Sequence, residues 1–292
     1  MTPSHIEVAR FEPVDEDVPP RKHVAFSLGE LQLMDDAGAV AQVPVSGTTV
    51  EAVMSPDGRW VWRLSEEESP IITLLNGDTL ETIDVFRPRE MDYEEGFLED
   101  WREHIVAVSV HAPDMIVVSA NAGDSFVLLL ALRATPDGIV DVAGPRIFNA
   151  VAALLDEVIW HASFVGPDRL FVVDDIGCVT LVSSPDAEVL SGVSVDDAFS
   201  TDEGYVVWPG DEPIDDLVVG SDNFATDRFI LVSVCRGDEP TKLHAFAALD
   251  RKTLEVRGSI RPPVPNAAQM RQVDSNRFVV RTGRDDLVMT LR

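Results

Sequence analysis

Met54 to Leu64 reads MSPDGRWVWRL. A short polar turn, Ser-Pro-Asp-Gly, runs directly into alternating aromatic and β-branched residues. Pro56 pre-sets φ at the first central turn position, Asp57 accepts local backbone N–H bonds, and Gly58 tolerates positive φ. The following Trp-Val-Trp is what a buried strand wants. The pattern recurs in HAPDMIVVSAN from His111, VGPDRLFVVDD from Val165, FATDRFILVSV from Phe224 and VDSNRFVVRTG from Val273. The turn residues are then Asp57, Asp114, Asp168, Asp227 and Asn276. They are roughly 50–60 residues apart, a period suited to a four-stranded unit with variable loops.

A second turn follows each of the first four copies. It reads LLNGDTLETIDVF (Leu74 to Phe86), RATPDGIVDV (Arg133 to Val142), SSPDAEVLSGVSV (Ser183 to Val195) and ALDRKTLEVRGSI (Ala248 to Ile260). LMDDAGAVAQVPV, Leu33 to Val45, supplies a further copy near the N-terminus. Each separates an apolar strand from a more polar one, as at the outer edge of a sheet. The unit therefore reads strand A, Pro-Asp turn, strand B, loop, strand C, Asp-rich turn, strand D.

SPDGRWVW, with the pair NGDTLETIDV and DRKTLEVRG, resembles the repeats of WD40-like and YVTN-like β-propellers, and the resemblance covers nearly the whole chain. The Trp-Asp dipeptide of true WD40 repeats is missing from the blade ends. The expected fold is all-β: one β-propeller domain over residues 1–292, with about six four-stranded blades, or seven. Two closures are open. IEVARF near the N-terminus either joins the last blade, removing a free sheet edge, or forms the inner strand of the first blade ahead of HVAFSL, ELQLMDD and AVAQVPV.

In that topology the D–A and B–C connections share one face, and the Pro-Asp and C–D turns share the other. The turn face carries Arg59, Arg169, Arg228 and Arg277 beside acids and is expected to be the quiet side. The long insertions are residues 87–104, expected to include a short helix from Glu94, residues 148–161, expected to be partly helical, and residues 196–216. These and the B–C loops are acidic, with interleaved aromatics. Aromatics rimmed by charge suit a binding surface. The candidate partner-binding residues are Tyr93, Phe97, Trp101, Glu95, Glu99, Asp202, Tyr205, Trp208 and Asp211.

The chain of 292 residues carries 51 Asp and Glu against 23 Lys and Arg, a formal net charge of -28. Such a surface repels nucleic acid and anionic membranes and attracts basic proteins or peptides. The first residues lack a basic n-region followed by an apolar core, and no apolar run approaches the ~18 residues of a membrane span. A cytoplasmic location is expected. Cys178 and Cys235 lie in apolar strand-like runs and read as reduced, buried thiols.

No H-E-x-x-H, G-x-S-x-G or Walker A pattern is present, and no spacing singles out a catalytic triad. The functional expectation is a non-enzymatic protein-interaction or scaffold module without a cofactor. The alternative is a metal-dependent hydrolase or lactonase. It would hold one divalent cation in the central channel on Glu51, His104, His161 and Asp215, which fall near the starts of inner strands. Six-bladed lactonase-like enzymes show such a site, but their glycine-glutamate motif is absent here; TTVEAVMS supplies only Glu51.

Overall fold

A computed structural model describes residues 8–13, 22–27, 29–35, 37–45, 48–66, 70–87, 102–121, 127–142, 146–147, 159–174, 176–183, 188–208, 211–220, 223–261, 269–281 and 286–291. Strand β1 (Val8–Pro13) comes first. The chain divides into two compact units. One comprises Pro19–Val158 with Ser184–Glu188; the other comprises Met1–Val18, Ile159–Ser183 and Val189–Arg292.

The Pro19–Val158 unit begins with a three-stranded meander of β2 (His23–Ser27), β3 (Glu30–Asp35) and β4 (Gly38–Pro44). A four-stranded meander follows: β5 (Thr48–Met54), β6 (Trp60–Glu66), β7 (Pro70–Asn76) and β8 (Thr82–Phe86). Then come β9 (Arg102–Ser109), β10 (Ala112–Asn121), β11 (Val127–Thr135) and β12 (Gly138–Asp141), with β13 (Arg146–Ile147) pairing β11. Alternation along β6 explains its composition. Val61 faces Leu31, Leu33, Leu75 and Leu80, while Trp60, Trp62 and Leu64 face Ile116, Val118 and Leu132 of the next sheet. A strand buried on both faces needs apolar residues at consecutive positions.

The other unit holds β14 (Ile159–Gly166), β15 (Arg169–Asp174), β16 (Cys178–Ser183) and β17 (Val189–Ser194). Helix α1 (Val195–Phe199) and a small hairpin of β18 (Ser200–Thr201) and β19 (Gly204–Tyr205) come next. The following sheet contains β20 (Leu217–Val219), β21 (Phe224–Ala225), β22 (Phe229–Arg236), β23 (Glu239–Asp250) and β24 (Val256–Ile260). The last has β25 (Gln269–Gln272), β26 (Arg277–Arg281) and β27 (Asp286–Leu291). β22 repeats the logic of β6: Ile230, Val232 and Val234 face one apolar cluster with Phe171 and Leu181, and Phe229 and Leu231 face another with Phe278 and Met289.

Within each unit, antiparallel meanders follow one another in sequence order and pack face to face on their neighbours, as blades do, and the fold class is the β-propeller. The N-terminal strand β1 pairs β27, with Phe11 opposite Met289, so β27 is hydrogen-bonded on both sides.

The first copy's turn carries the expected chemistry, and three later copies depart from it; in the Phe224 copy Thr226 Oγ1, rather than Asp227, accepts the Arg228 and Phe229 N–H groups at 3.3 and 2.8 Å. At Ser55–Trp60 the Ser55 hydroxyl donates to Asp57 Oδ1 at 2.6 Å, Asp57 accepts the Arg59 N–H at 3.1 Å, and Gly58 has φ +71°. Asp114, expected in a turn, instead lies within β10, and its carboxylate faces Arg133 at 3.4 Å. The turn there falls at Val110 and His111, because the β9–β10 ladder is shifted between Ala112 and Ile116. In the last copy Asp274, rather than Asn276, accepts the turn N–H groups of Asn276 and Arg277.

Two outer turns are the same object. Asn76 Oδ1 accepts from Asp78 and Thr79 N–H, and Asp250 Oδ1 accepts from Lys252 and Thr253 N–H. In each, a leucine N–H closes back on the first residue's carbonyl, Leu80 to Asn76 at 2.9 Å and Leu254 to Asp250 at 2.8 Å.

Candidate functional site

The insertion after β17 is built rather than slack. Ser194 caps α1 by accepting the Asp197 N–H at 3.3 Å, while Val195 and Phe199 are buried with Val207, Ile214 and Leu217. The β18–β19 hairpin turns at Asp202 and Glu203. Thr201 Oγ1 donates to the Gly204 carbonyl at 2.7 Å. Gly204 has φ +125°, and a Cβ there would stand 2.6 Å from the Ile214 carbonyl oxygen, so the position requires glycine. Tyr205 and Ile214 exchange backbone bonds of 2.9 and 3.0 Å, stapling the returning chain to the hairpin.

This staple displays Thr201, Asp202, Glu203, Glu212, Pro213, Asp215 and Asp216 as exposed residues around partly exposed Tyr205 and Trp208. Trp208 and Asp211 already have partners inside the chain. The Arg261 guanidinium lies 5.1 Å from the Trp208 ring centroid and bonds the Asp211 carboxylate. His244 Nε2 is 3.5 Å from that carboxylate. Burial and the Arg261 charge hold the His244 pKa below its usual value, against the opposite pull of Asp211.

Beside α1 the carboxylates crowd. Asp174 is fully buried, and its Oδ1 accepts the Cys178 N–H at 2.7 Å. Asp196 Oδ1 is shielded from solvent and has no hydrogen-bond partner. Burial pushes the Asp196 pKa up to about 6, and Asp216, Asp197 and Asp174 push the same way. Three neighbouring carboxylates thus add to the effect of burial. Burial, followed by Asp174 and Asp196, also raises the Cys178 thiol to about 11, so it stays protonated. Neither cysteine is in a disulfide; Cys235 is buried and Cys178 partly exposed.

Of the candidate partner-binding residues, the structure brings Tyr205, Trp208, Asp211 and exposed Asp202 together in one insertion. Tyr93, Glu95, Phe97, Glu99 and Trp101 lie outside the described residues, as do the helices expected from Glu94 and after Phe148. The ends of those two insertions are strand: Arg102 to His104 belong to β9, and Ile159 to His161 to β14.

Among the metal candidates, Glu51 is half-buried in β5, Asp215 is exposed just before β20, and the His104 side chain lies outside the described set. His161 stacks on Phe171 with ring centroids 5.4 Å apart, and its Nε2 reaches neither solvent nor a partner. Burial lowers its pKa to about 4, so the ring is neutral at physiological pH. Among the described residues no group of three or more His, Cys, Asp or Glu is arranged to hold a metal ion. None of the described helices is long and apolar enough to cross a membrane. Sequence reasoning did not find Asp174, Asp196, His244 or Arg261. The only available signal was the doubled acids at Asp174–Asp175 and Asp196–Asp197, since Arg261 meets Asp211 across 50 positions.

No family model matches the chain, and no curated protein matches it. Among solved structures, it is similar to the crystal structure of BamB from Moraxella catarrhalis. That match has 12% sequence identity and a TM-score of 0.41, covering 96% of this chain and 83% of that one.

Proposed function

We propose that this protein is a non-enzymatic binding module that takes a basic segment of a protein partner on the acidic, aromatic insertion between β17 and β20. The observation that carries this reading is geometric: exposed Asp202, Glu203, Glu212, Asp215 and Asp216 gather in one insertion around partly exposed Tyr205 and Trp208, a lining that would gain from an incoming cation. Tyr205 and Trp208 are partly exposed beside the acids, Trp208 with Arg261 over its ring, and such rings supply most of the affinity in protein interfaces. The net charge of -28 would steer a basic partner inward and make association salt-dependent.

The test is a titration with a fluorescein-labelled peptide of Arg, Lys and Gly. Binding is expected to weaken with salt, and Tyr205→Ala or Trp208→Ala should cost about 2 kcal/mol. Asp202→Lys should mainly slow association. Binding should also weaken as pH falls through about 6, where Asp196 takes up its proton. A peptide that fails to bind, or binds independently of these residues, overturns the reading.

A further inference from the structure

A groove of about 1200 Å³ opens among the turns β14–β15, β21–β22 and β23–β24. Its lining repeats one dipeptide three times: Asp168-Arg169, Asp227-Arg228 and Asp250-Arg251. Lys252 and Arg257 join them, giving five cationic side chains in a chain whose Lys and Arg total 23. This is the short-turn side, which the sequence pattern marked as quiet.

The groove is pre-formed. Arg251 is its floor: its N–H donates to the Arg228 carbonyl at 3.0 Å, and its guanidinium donates to the Thr226 carbonyl at 3.0 Å. Asp227 is fixed by Ser275 and Asn276, which donate to it at 3.0 and 2.8 Å. The Arg228 guanidinium rests 5.1 Å from the centroid of the Phe229 ring. Arg169, Arg228, Lys252 and Arg257 are exposed around this floor, beside Pro167. Arg257 is shared with Asp250 and Glu255 at 3.5 and 3.0 Å.

Two facts narrow the ligand. The lining mixes donors with the carboxylates of Asp168, Asp227 and Asp250, so a ligand made only of acceptors, such as phosphate, would meet repulsion as well as attraction. An extended peptide offers acceptors to the arginines and backbone N–H donors to the aspartates. The protein's net charge of -28 also opposes the approach of any large polyanion, which favours a segment with few charges. We propose that this groove binds a short acidic peptide segment of a protein partner through Arg169, Arg228, Lys252 and Arg257.

The test is fluorescence anisotropy at low salt with a labelled peptide of about ten alternating Glu and Gly residues, biased towards extension by repulsion between its glutamates. The full-length protein should bind it. The double variant Arg169→Glu, Lys252→Glu should bind at least ten-fold more weakly with an unchanged melting temperature, and Glu81→Gln, at an exposed residue outside both sites, should leave binding unchanged. If the double reversal fails to fold, Arg169→Gln with Lys252→Gln gives the same reading with a smaller loss. Absence of binding, or binding indifferent to both variant pairs, overturns the proposal. Displacement of the peptide by millimolar inorganic phosphate also overturns it, because the groove would then be a phosphate site.

Discussion

The Arg261 guanidinium covers the Trp208 ring and bonds Asp211, so one exposed cation holds both the aromatic and the acid of the insertion's return arm. The same charge presses on His244. Replacing Arg261 by Ala removes a force that lowers the His244 pKa and leaves the Asp211 charge that raises it. The His244 titration followed by NMR should therefore move to higher pH. A midpoint that stays or falls would show that Arg261 does not sit on this pair in solution.

Two groups whose charged forms are disfavoured by desolvation give the stability curve opposite slopes in acid. Asp196 has a folded pKa of about 6 against an ordinary 3.8, so the folded protein holds more protons between those values and loses stability as pH rises through that window. His161 has a folded pKa of about 4 against 6.5, so the unfolded chain holds more protons there and stability is lost as pH falls. Asp196→Asn should raise the melting temperature at pH 7 and converge with the parent near pH 4. His161→Phe should gain most near pH 4. Thermal melts across pH 4 to 8 read both, and a parallel shift at every pH would remove the assignment.

Leu80 and Leu254 carry φ of 60° and 59° while each is 1% exposed. A left-handed conformation costs a non-glycine residue roughly 1–2 kcal/mol, and burying leucine offsets it. Leu→Ala at either position should cost about 2–4 kcal/mol, since it loses the burial and keeps the backbone strain. Leu→Gly should be no worse than Ala, the reverse of the usual order, because glycine adopts this φ freely. Urea denaturation gives the ranking directly.

The repeated Pro-Asp pattern hides unequal aspartates. Asp57→Ala should cost roughly 1 kcal/mol through its lost turn hydrogen bonds. Asp114→Ala should cost less than about 0.5 kcal/mol, because Asp114 sits in β10 and its carboxylate faces Arg133 in a solvent-exposed ion pair. Equal losses in chemical denaturation would count against the shifted turn.

The blade strands and the outer turns were legible in the residues alone, whereas helix α1 and the β18–β19 hairpin were not. The continuous apolar runs WVW and FILV report two-sided burial, and the Asn76 and Asp250 turns are set by bonds reaching only two or three residues along the chain. Both are consequences of local backbone geometry, which sequence spacing encodes. Tertiary structure alone decided the pairings across distance. It chose β27 as the neighbour of β1 from two sequence-compatible closures, because an edge strand's hydrogen bonds do not specify their partner by composition. It drew three Asp-Arg turns from residues 168 to 251 into one groove, and it set Arg261 on Trp208 and Asp211. In each case the contact depends on how sheets stack, and side-chain spacing along the chain carries no trace of that.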